Sequence, residues 1–144
     1  MKQKSDLLCP SAQHDWEDAR LFAVMGGTPE NPEAAYLDQT QPITEELLKM
    51  TEPVSPSEVF RFSAPCAQGK CGHYDNDHEK CKLVAKTVRL TEVVVQKLAR
   101  CAIRSECRWW SQEGAVACQR CPQVVTTNFA PSNEMKIAAD VSTE

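Results

Sequence analysis

Short apolar runs alternate with turn-forming residues in the first part of the chain, a pattern typical of short strands and loops. The apolar run at 20–25 predicts a strand, and Gly26 and Gly27 with the prolines that follow predict a loop. Residues 35–37 then predict the returning strand of a hairpin.

Capping residues predict two short helices between this hairpin and the first internal cysteine. Thr44 precedes the segment 45–50, whose first turn carries two glutamates that favour the positive end of a helix. Ser55 and Pro56 predict the start of the second helix, and Glu58 completes a capping box.

The longest apolar repeat predicts a helix over 81–102. Its apolar side chains recur near helical spacing, at Val84, Val88, Val95, Leu98 and Ala102. The β-branched run 93–95 leaves a strand as the alternative. Beyond it we predict a helical stretch from Cys107 through Glu113 that Gly114 weakens, and an extended segment at 124–127. A last helix is predicted at 133–139, with Ser132 as its cap.

Together these elements predict an α+β fold, in which a small N-terminal hairpin and short helices precede a helical, cysteine-rich region. The length of 144 residues favours a single domain over 1–144. Within it we distinguish an α+β half at 1–65, a cysteine-rich half at 66–121 and a C-terminal extension at 122–144.

Charge and hydropathy narrow the possible functions. A net charge of −4 argues against a protein that binds nucleic acid by neutralising phosphates. No apolar run is long enough to span a membrane, and no apolar segment follows the first lysines as in a secretory signal. We therefore expect a cytoplasmic protein whose partner is neither nucleic acid nor membrane.

The eight cysteines are the main chemical signal in the sequence. Seven of them fall between Cys66 and Cys121, and Cys9 lies near the start. In a reducing compartment such crowding points to metal or redox chemistry rather than to disulfides. Thiolates are soft ligands that select zinc, copper(I) or iron–sulfur clusters.

The downstream cysteines predict a site with four thiolates. Cys118 and Cys121 are three residues apart and present their sulfurs to one side. Cys101 and Cys107 would lie about 240° apart around one helix, so the chain has to turn near Arg104 for both to bind one metal centre. We predict that Cys101, Cys107, Cys118 and Cys121 form this site.

The upstream cysteines predict a second site with an open question about its fourth ligand. Cys66, Cys71 and Cys81 supply three thiolates. The fourth ligand is Cys9, a nearby histidine, an exogenous group or a cysteine lent by the downstream site. The histidines that the sequence offers are His73 and His78.

Two [4Fe–4S] clusters are the cofactors that we expect, with one [4Fe–4S] cluster or zinc as alternatives. Structural zinc sites usually use pairs of ligands at CxxC-like spacing, and this chain has one such pair. A four-iron cluster is larger and accepts cysteines that arrive singly from separate elements. The dianionic cluster is also favoured by nearby cations, which here are Lys70, Lys80, Lys82, Arg100, Arg104, Arg108 and Arg120.

Four stretches of the chain resemble three known families. The segment 101–107, CAIRSEC, is similar to the Cys-x-Val-Arg-x-x-Cys stretch of WhiB-like iron–sulfur regulators, and Cys118-x2-Cys121-Pro122 resembles part of a bacterial ferredoxin motif. More broadly, 60–66 and 108–114 look like segments of a family of small cysteine-rich bacterial, largely cyanobacterial, proteins, some labelled nitrogen-fixation proteins. The first two resemblances imply iron–sulfur chemistry, and the label of the third implies no mechanism.

The expected function is ferredoxin-like electron transfer to a larger redox or regulatory partner. The sequence shows no acid–base or nucleophilic set, so an electron carrier or a regulatory metalloprotein is favoured over an enzyme. The alternatives are a cluster-based sensor of oxygen or nitric oxide, and an interaction module stapled by zinc.

Overall fold

The protein has an α+β fold built on a four-stranded antiparallel sheet. The computed structural model describes residues 7–27, 32–68, 71–124 and 132–140. The sheet strands are β1 (Leu8–Ala12), β2 (Arg20–Gly27), β3 (Pro32–Pro42) and β4 (Phe60–Pro65), in the order β1-β4-β2-β3. Two short strands, β5 (Tyr74–Asp75) and β6 (Lys80–Cys81), form a separate small hairpin.

The predicted hairpin is confirmed, and it is longer than expected. Ala23 pairs with Tyr36 and Val24 with Ala35, and the pairing continues to Gly27 opposite Pro32. The predicted loop at Gly26 and Gly27 is therefore strand, and the residues beyond, 28–31, lie outside the described part of the chain.

The sequence did not reveal two of the four sheet strands. β1 carries Pro10 inside a segment of only five residues, and proline cannot donate to a ladder, which hides the strand in the pattern. β4 follows directly on a short helix, so its apolar residues read as a continuation of that helix. Its apolar–polar alternation places Arg61 between Phe60 and Phe62, and both faces of the strand are buried.

The short helices begin where their capping residues predict. The helices are α1 (Glu45–Lys49), α2 (Pro56–Val59), α3 (Lys82–Leu90), α4 (Arg108–Glu113), α5 (Ala115–Cys118) and α6 (Asn133–Ala139). Thr44 accepts a hydrogen bond from Leu47 N at α1, and Ser132 accepts one from Met135 N at α6. Ser55 precedes α2 without a side-chain capping bond, so only the position of that helix was predicted correctly. Of the extended segment predicted at 124–127, only Val124 lies within the described residues.

The predicted helix over 81–102 is wrong beyond Leu90. The backbone becomes extended at Thr91, and the N–H groups of Val94 and Val95 donate to the Gln119 carbonyl, at 2.9 and 3.1 Å. Arg120 Nε donates to the Thr91 carbonyl at 2.9 Å. Hydrogen bonds to Gln119 and Arg120 thus replace helical hydrogen bonds in this segment. The replacement is favoured because the β-branched residues at 93–95 are weak helix formers.

Gly114 breaks the second helical stretch rather than only weakening it. Its φ of 76° lies in the left-handed region, which glycine adopts without a Cβ penalty. α4 therefore ends at Glu113, and α5 starts in a new direction that carries Cys118. A single turn of 3₁₀ helix at Arg104–Glu106 supplies the predicted turn between Cys101 and Cys107.

Two groups of buried apolar residues lie on opposite faces of the sheet. One face packs Ala12, Leu21, Phe60, Phe62 and Ala64 against the loops and α1. The other packs Phe22 and Ala23 against α3, α4 and α6, and this cluster includes Cys107 and Cys121. The register of β2 shifts between Leu21 and Ala23, and as a result the consecutive residues Phe22 and Ala23 both face the helices. No helix in the described ranges is long and apolar enough to cross a membrane.

Phe62→Ala should destabilise the protein by about 3–5 kcal/mol, because the ring is fully buried in the sheet-face cluster. The measurement is the free energy of unfolding from urea titration. Met50→Ala is the matched control, since Met50 is 75% exposed and its truncation should cost less than about 0.5 kcal/mol. Equal effects of the two substitutions would contradict this assignment of the core.

Candidate functional site

The upstream cysteines and Cys9 come together at one end of the sheet. We call them the first thiol group: Cys9, Cys66, Cys71 and Cys81. Cys9 lies in β1 opposite Ala64, and Cys66 follows the end of β4. Cys81 is the N-cap of α3, and Cys71 lies in the turn before β5. The structure thus brings Cys9 to the three cysteines that lacked a fourth partner in the sequence.

A cavity of about 410 Å³ opens between these thiols and α6. Cys9, Cys71 and Cys81 line it, whereas Cys66 is not part of the lining but lies close to Cys9. Polar groups of Ser11, Gln13, His73 and Lys136 also line the cavity. Its apolar lining consists of Trp16, Leu83, Trp109, Val124, Met135 and Ala139.

Burial dominates the electrostatics of the first thiol group. It raises the pKa of the Cys9 thiol well above its ordinary value, against the lowering effect of the Ser11 N–H. Burial also raises the pKa of Cys81, although the N–H groups of Val84 and Leu83 at the start of α3 favour its thiolate.

The downstream cysteines form the second thiol group, Cys101, Cys107, Cys118 and Cys121. Cys101 precedes the 3₁₀ turn and Cys107 is the N-cap of α4. Cys118 ends α5, and Cys121 begins a 3₁₀ turn with Pro122. Each cysteine therefore sits where a helical segment begins or ends, or immediately before such a segment.

All four thiols of the second group line one narrow cavity of about 20 Å³. The remaining wall consists of Pro10, Phe22, Tyr36, Ile103, Arg104, Trp109 and Ala117. No carboxylate lines this cavity among the described residues. The donor set is soft sulfur in an apolar surround, and the volume leaves no room beside the thiols for a separate ligand.

Burial raises thiol pKa values in the second group as well. The pKa of Cys107 rises to about 12 through burial, opposed by the N–H groups of Trp110 and Trp109. Burial raises the pKa of Cys118, and a hydrogen bond from Arg104 lowers it. Tyr36, which hydrogen-bonds Cys121, has its own pKa raised, mainly by burial.

Arg61 is a fully buried cation at the second thiol group. Its guanidinium donates to the Pro10 carbonyl at 2.9 Å, to the Cys121 carbonyl at 2.9 Å and to Cys121 Sγ at 3.4 Å. It also lies over the rings of Phe22 and Trp109, at 5.6 and 5.7 Å. Within the described ranges no carboxylate pairs with it.

Arg104 is a second arginine that lines the same cavity, and one of its N–H groups has no acceptor among the described residues. Arg104 donates through one terminal nitrogen to the Ala99 carbonyl at 2.6 Å and stacks over Trp110 at 5.7 Å. Its Nε is buried without a hydrogen-bond partner in the described structure. His73, which lines the first cavity, likewise has a buried Nδ1 without a hydrogen-bond partner in the described structure. Buried donors and acceptors are normally satisfied, so both atoms are available to a bound group.

Trp109 lines both cavities, so the two thiol groups share one wall. α4, which carries this side chain, is fixed to the first group by Gln112. The Gln112 side chain accepts from Cys81 N at 2.8 Å and donates to the Cys81 carbonyl at 3.0 Å. Leu8, next to Cys9, forms a backbone bridge to Cys107. The two sites are thereby tied to each other through backbone contacts.

Neither group is arranged as a single-ion site. Among the described residues, no three His, Cys, Asp or Glu side chains lie close enough together to hold one metal ion. All eight cysteines are free of disulfides. His78, the other histidine offered as a ligand, is 68% exposed and pairs with Asp75 at 2.8 Å, away from the cavity-lining residues.

Sequence reasoning missed Arg61 and Tyr36 as residues of the second site. The sequence signal for Arg61 was present: an arginine between two phenylalanines in a strand points to the face opposite theirs, away from the apolar cluster they enter. Tyr36 carried no such signal, because its position depends on how β3 lies against the turn at Cys121.

Comparison of the chain with models of protein families, with curated proteins and with solved structures finds no match.

Proposed function

We propose that this is an iron–sulfur protein that holds two [4Fe–4S] clusters and transfers electrons to a larger protein partner. The observation that carries the proposal is the partition of the eight cysteines into two groups of four. One group lines a single cavity, and three members of the other line a second cavity, with the fourth close to Cys9. Four thiolates are the usual ligand set of a [4Fe–4S] cluster.

The charge around the second group supports an anionic cofactor. A guanidinium buried without an opposite charge costs several kcal/mol, and the proteins that keep one supply a counter-charge nearby. A [4Fe–4S]²⁺ core with four thiolates carries a charge of −2. It would compensate Arg61 at Cys121 and accept the unused Nε–H of Arg104.

The spread of the thiols favours a cluster over zinc. Zinc–sulfur bonds of about 2.3 Å require four sulfurs within about 4 Å of one another. Among the described residues, no three of these thiols lie close enough together to hold one ion. A four-iron core relaxes that requirement, since each of its irons takes one cysteine at the corner of a larger body.

Two neighbouring sites suit the passage of electrons. When bound, the clusters supply reversible one-electron transfer. Trp109, which is 2% exposed, lines both cavities and lies between them. Arg104 and the 37% exposed Trp110 lie on the outer side of the second group, beside the half-buried Cys118. We propose that the partner docks on this side, where the path to solvent is shortest.

The first test is anaerobic purification, followed by an absorption spectrum and counts of iron, sulfide and zinc. We expect a broad band near ~400 nm and about eight irons and eight sulfides per chain. A reversible one-electron reduction without enzymatic turnover should follow. A colourless protein with stoichiometric zinc would overturn the proposal and make the chain a zinc-stapled module.

Paired cysteine substitutions test the partition into groups. Cys71→Ser with Cys81→Ser should leave about four irons, and Cys118→Ser with Cys121→Ser should also leave about four. The matched control removes the same number of thiols from different groups: Cys71→Ser with Cys118→Ser should lose both clusters. If this control keeps half of the iron while a within-group pair loses all of it, the grouping is wrong.

Arg61→Met should lower the reduction potential of one cluster by about 60 mV, equivalent to about tenfold in a one-electron equilibrium. The substitution removes a positive charge and a hydrogen bond to Cys121 Sγ, both of which favour the reduced, more negative cluster. Potentiometric titration followed by electron paramagnetic resonance measures it.

The control for Arg61 is Arg20→Met, because Arg20 is exposed on β2 and donates to Thr40. It should leave both potentials unchanged. Arg61→Lys keeps the charge and should shift the potential less than Arg61→Met. An unchanged reduction potential in an Arg61→Met protein that holds both clusters would show that Arg61 does not affect the potential of either cluster.

A further inference from the structure

The two cavities differ in size by about twentyfold, although each is built around four cysteines. The cavity of the second thiol group measures about 20 Å³, and that of the first about 410 Å³. The second volume is close to what a single water molecule needs, about 10–15 Å³. The first falls in the range of about 300–1,000 Å³ typical of small-molecule sites. It has space for something besides a cluster.

The side chains around the larger cavity specify the charge of its occupant. Lys136 lines it from α6, and no carboxylate lines it among the described residues. Lys86 and Lys82 on α3 lie near His73, and Lys86 Nζ donates to the backbone carbonyl of Asp140 at 2.7 Å. Lys136 is therefore the cation that the lining itself offers.

The apolar part of the lining specifies the body of the occupant. Trp16, Leu83, Trp109 and Met135 provide aromatic and aliphatic surface. His73 Nδ1 and the polar groups of Ser11 and Gln13 lie in the same lining, and His73 Nδ1 has no partner within the described residues. An apolar pocket with a few convergent polar groups and a cation is the usual form of a site for a small organic anion.

From this we infer that the cavity of the first thiol group binds a small organic anion with an apolar body, beside the cluster. The inference rests on the proposed function for the cluster and adds a ligand to one of its two sites. The carboxylate end lies toward Lys136 and His73, and the apolar body lies against Trp109 and Met135. The two clusters thus differ in role: the second is enclosed, and the first shares its cavity with a ligand.

Benzoate is the probe, with neutral benzamide as its isosteric control. Isothermal titration calorimetry of the anaerobically purified protein should show saturable binding of benzoate and at least about fivefold weaker binding of benzamide. Lys136→Gln should weaken benzoate binding about fivefold and leave benzamide unchanged. Lys97→Gln is the control variant, because Lys97 is exposed and does not line the cavity.

Iron and sulfide counts on the same samples keep the two proposals apart. Equal binding of benzoate and benzamide, or an equal response to both lysine variants, would overturn the anion site. Binding that occurs after removal of iron but not in the loaded protein would also overturn it, because the cluster would then fill the whole cavity. If the purified protein contains no iron but binds benzoate in a manner that depends on Lys136, the anion site stands and the proposal of two clusters is overturned.

Discussion

The contact between the Arg61 guanidinium and Cys121 is the constraint around which the rest of the structure is organised. This buried cation donates to Pro10 in β1 and to Cys121 in the following half of the chain, from its own position in β4. It therefore joins the sheet to the cysteine-rich region at the centre of the molecule. A charged group in this position is unfavourable without a counter-charge, which makes the thiol cavity and the fold electrostatically dependent on each other.

That dependence explains why the two halves predicted from the sequence pack as they do. The sheet offers Phe22 and Ala23 to the helical side, and the same apolar cluster contains Cys107, Cys121 and Trp109. The chain after Leu90 gives up helical hydrogen bonds to pair with Gln119. Short segments with weak intrinsic preferences thus take their structure from tertiary contacts around the thiols.

The features that local chemistry determines were predictable, and the features that distant contacts determine were not. Thr44 and Ser132 mark helix starts because a cap acts within three residues, and the hairpin at Ala23 and Tyr36 follows from adjacent apolar runs. The helix predicted over 81–102 ends early because the backbone N–H groups of Val94 and Val95 donate to the Gln119 carbonyl. Gln119 lies 24 residues beyond Val95 in the chain, so this contact left no local signal. For the site, spacing suggested the downstream four cysteines, but only the pairing of β1 with β4 places Cys9 beside Cys66. Strand alternation predicts that Arg61 faces the thiols only if β4 is first recognised as a strand.

The position of Cys9 in β1 has a consequence for the order in which the molecule is assembled. The cysteines of the second thiol group lie within a 21-residue stretch, whereas Cys9 and Cys81 are 72 positions apart in the chain. Closing the longer loop costs about 1 kcal/mol more in chain entropy. The second site can gather its sulfurs while the start of the chain is still unfolded, whereas the first is complete only when β1 has docked on β4. The first site therefore depends on the docking of one edge strand, and the second thiol group does not need that strand for its sulfurs.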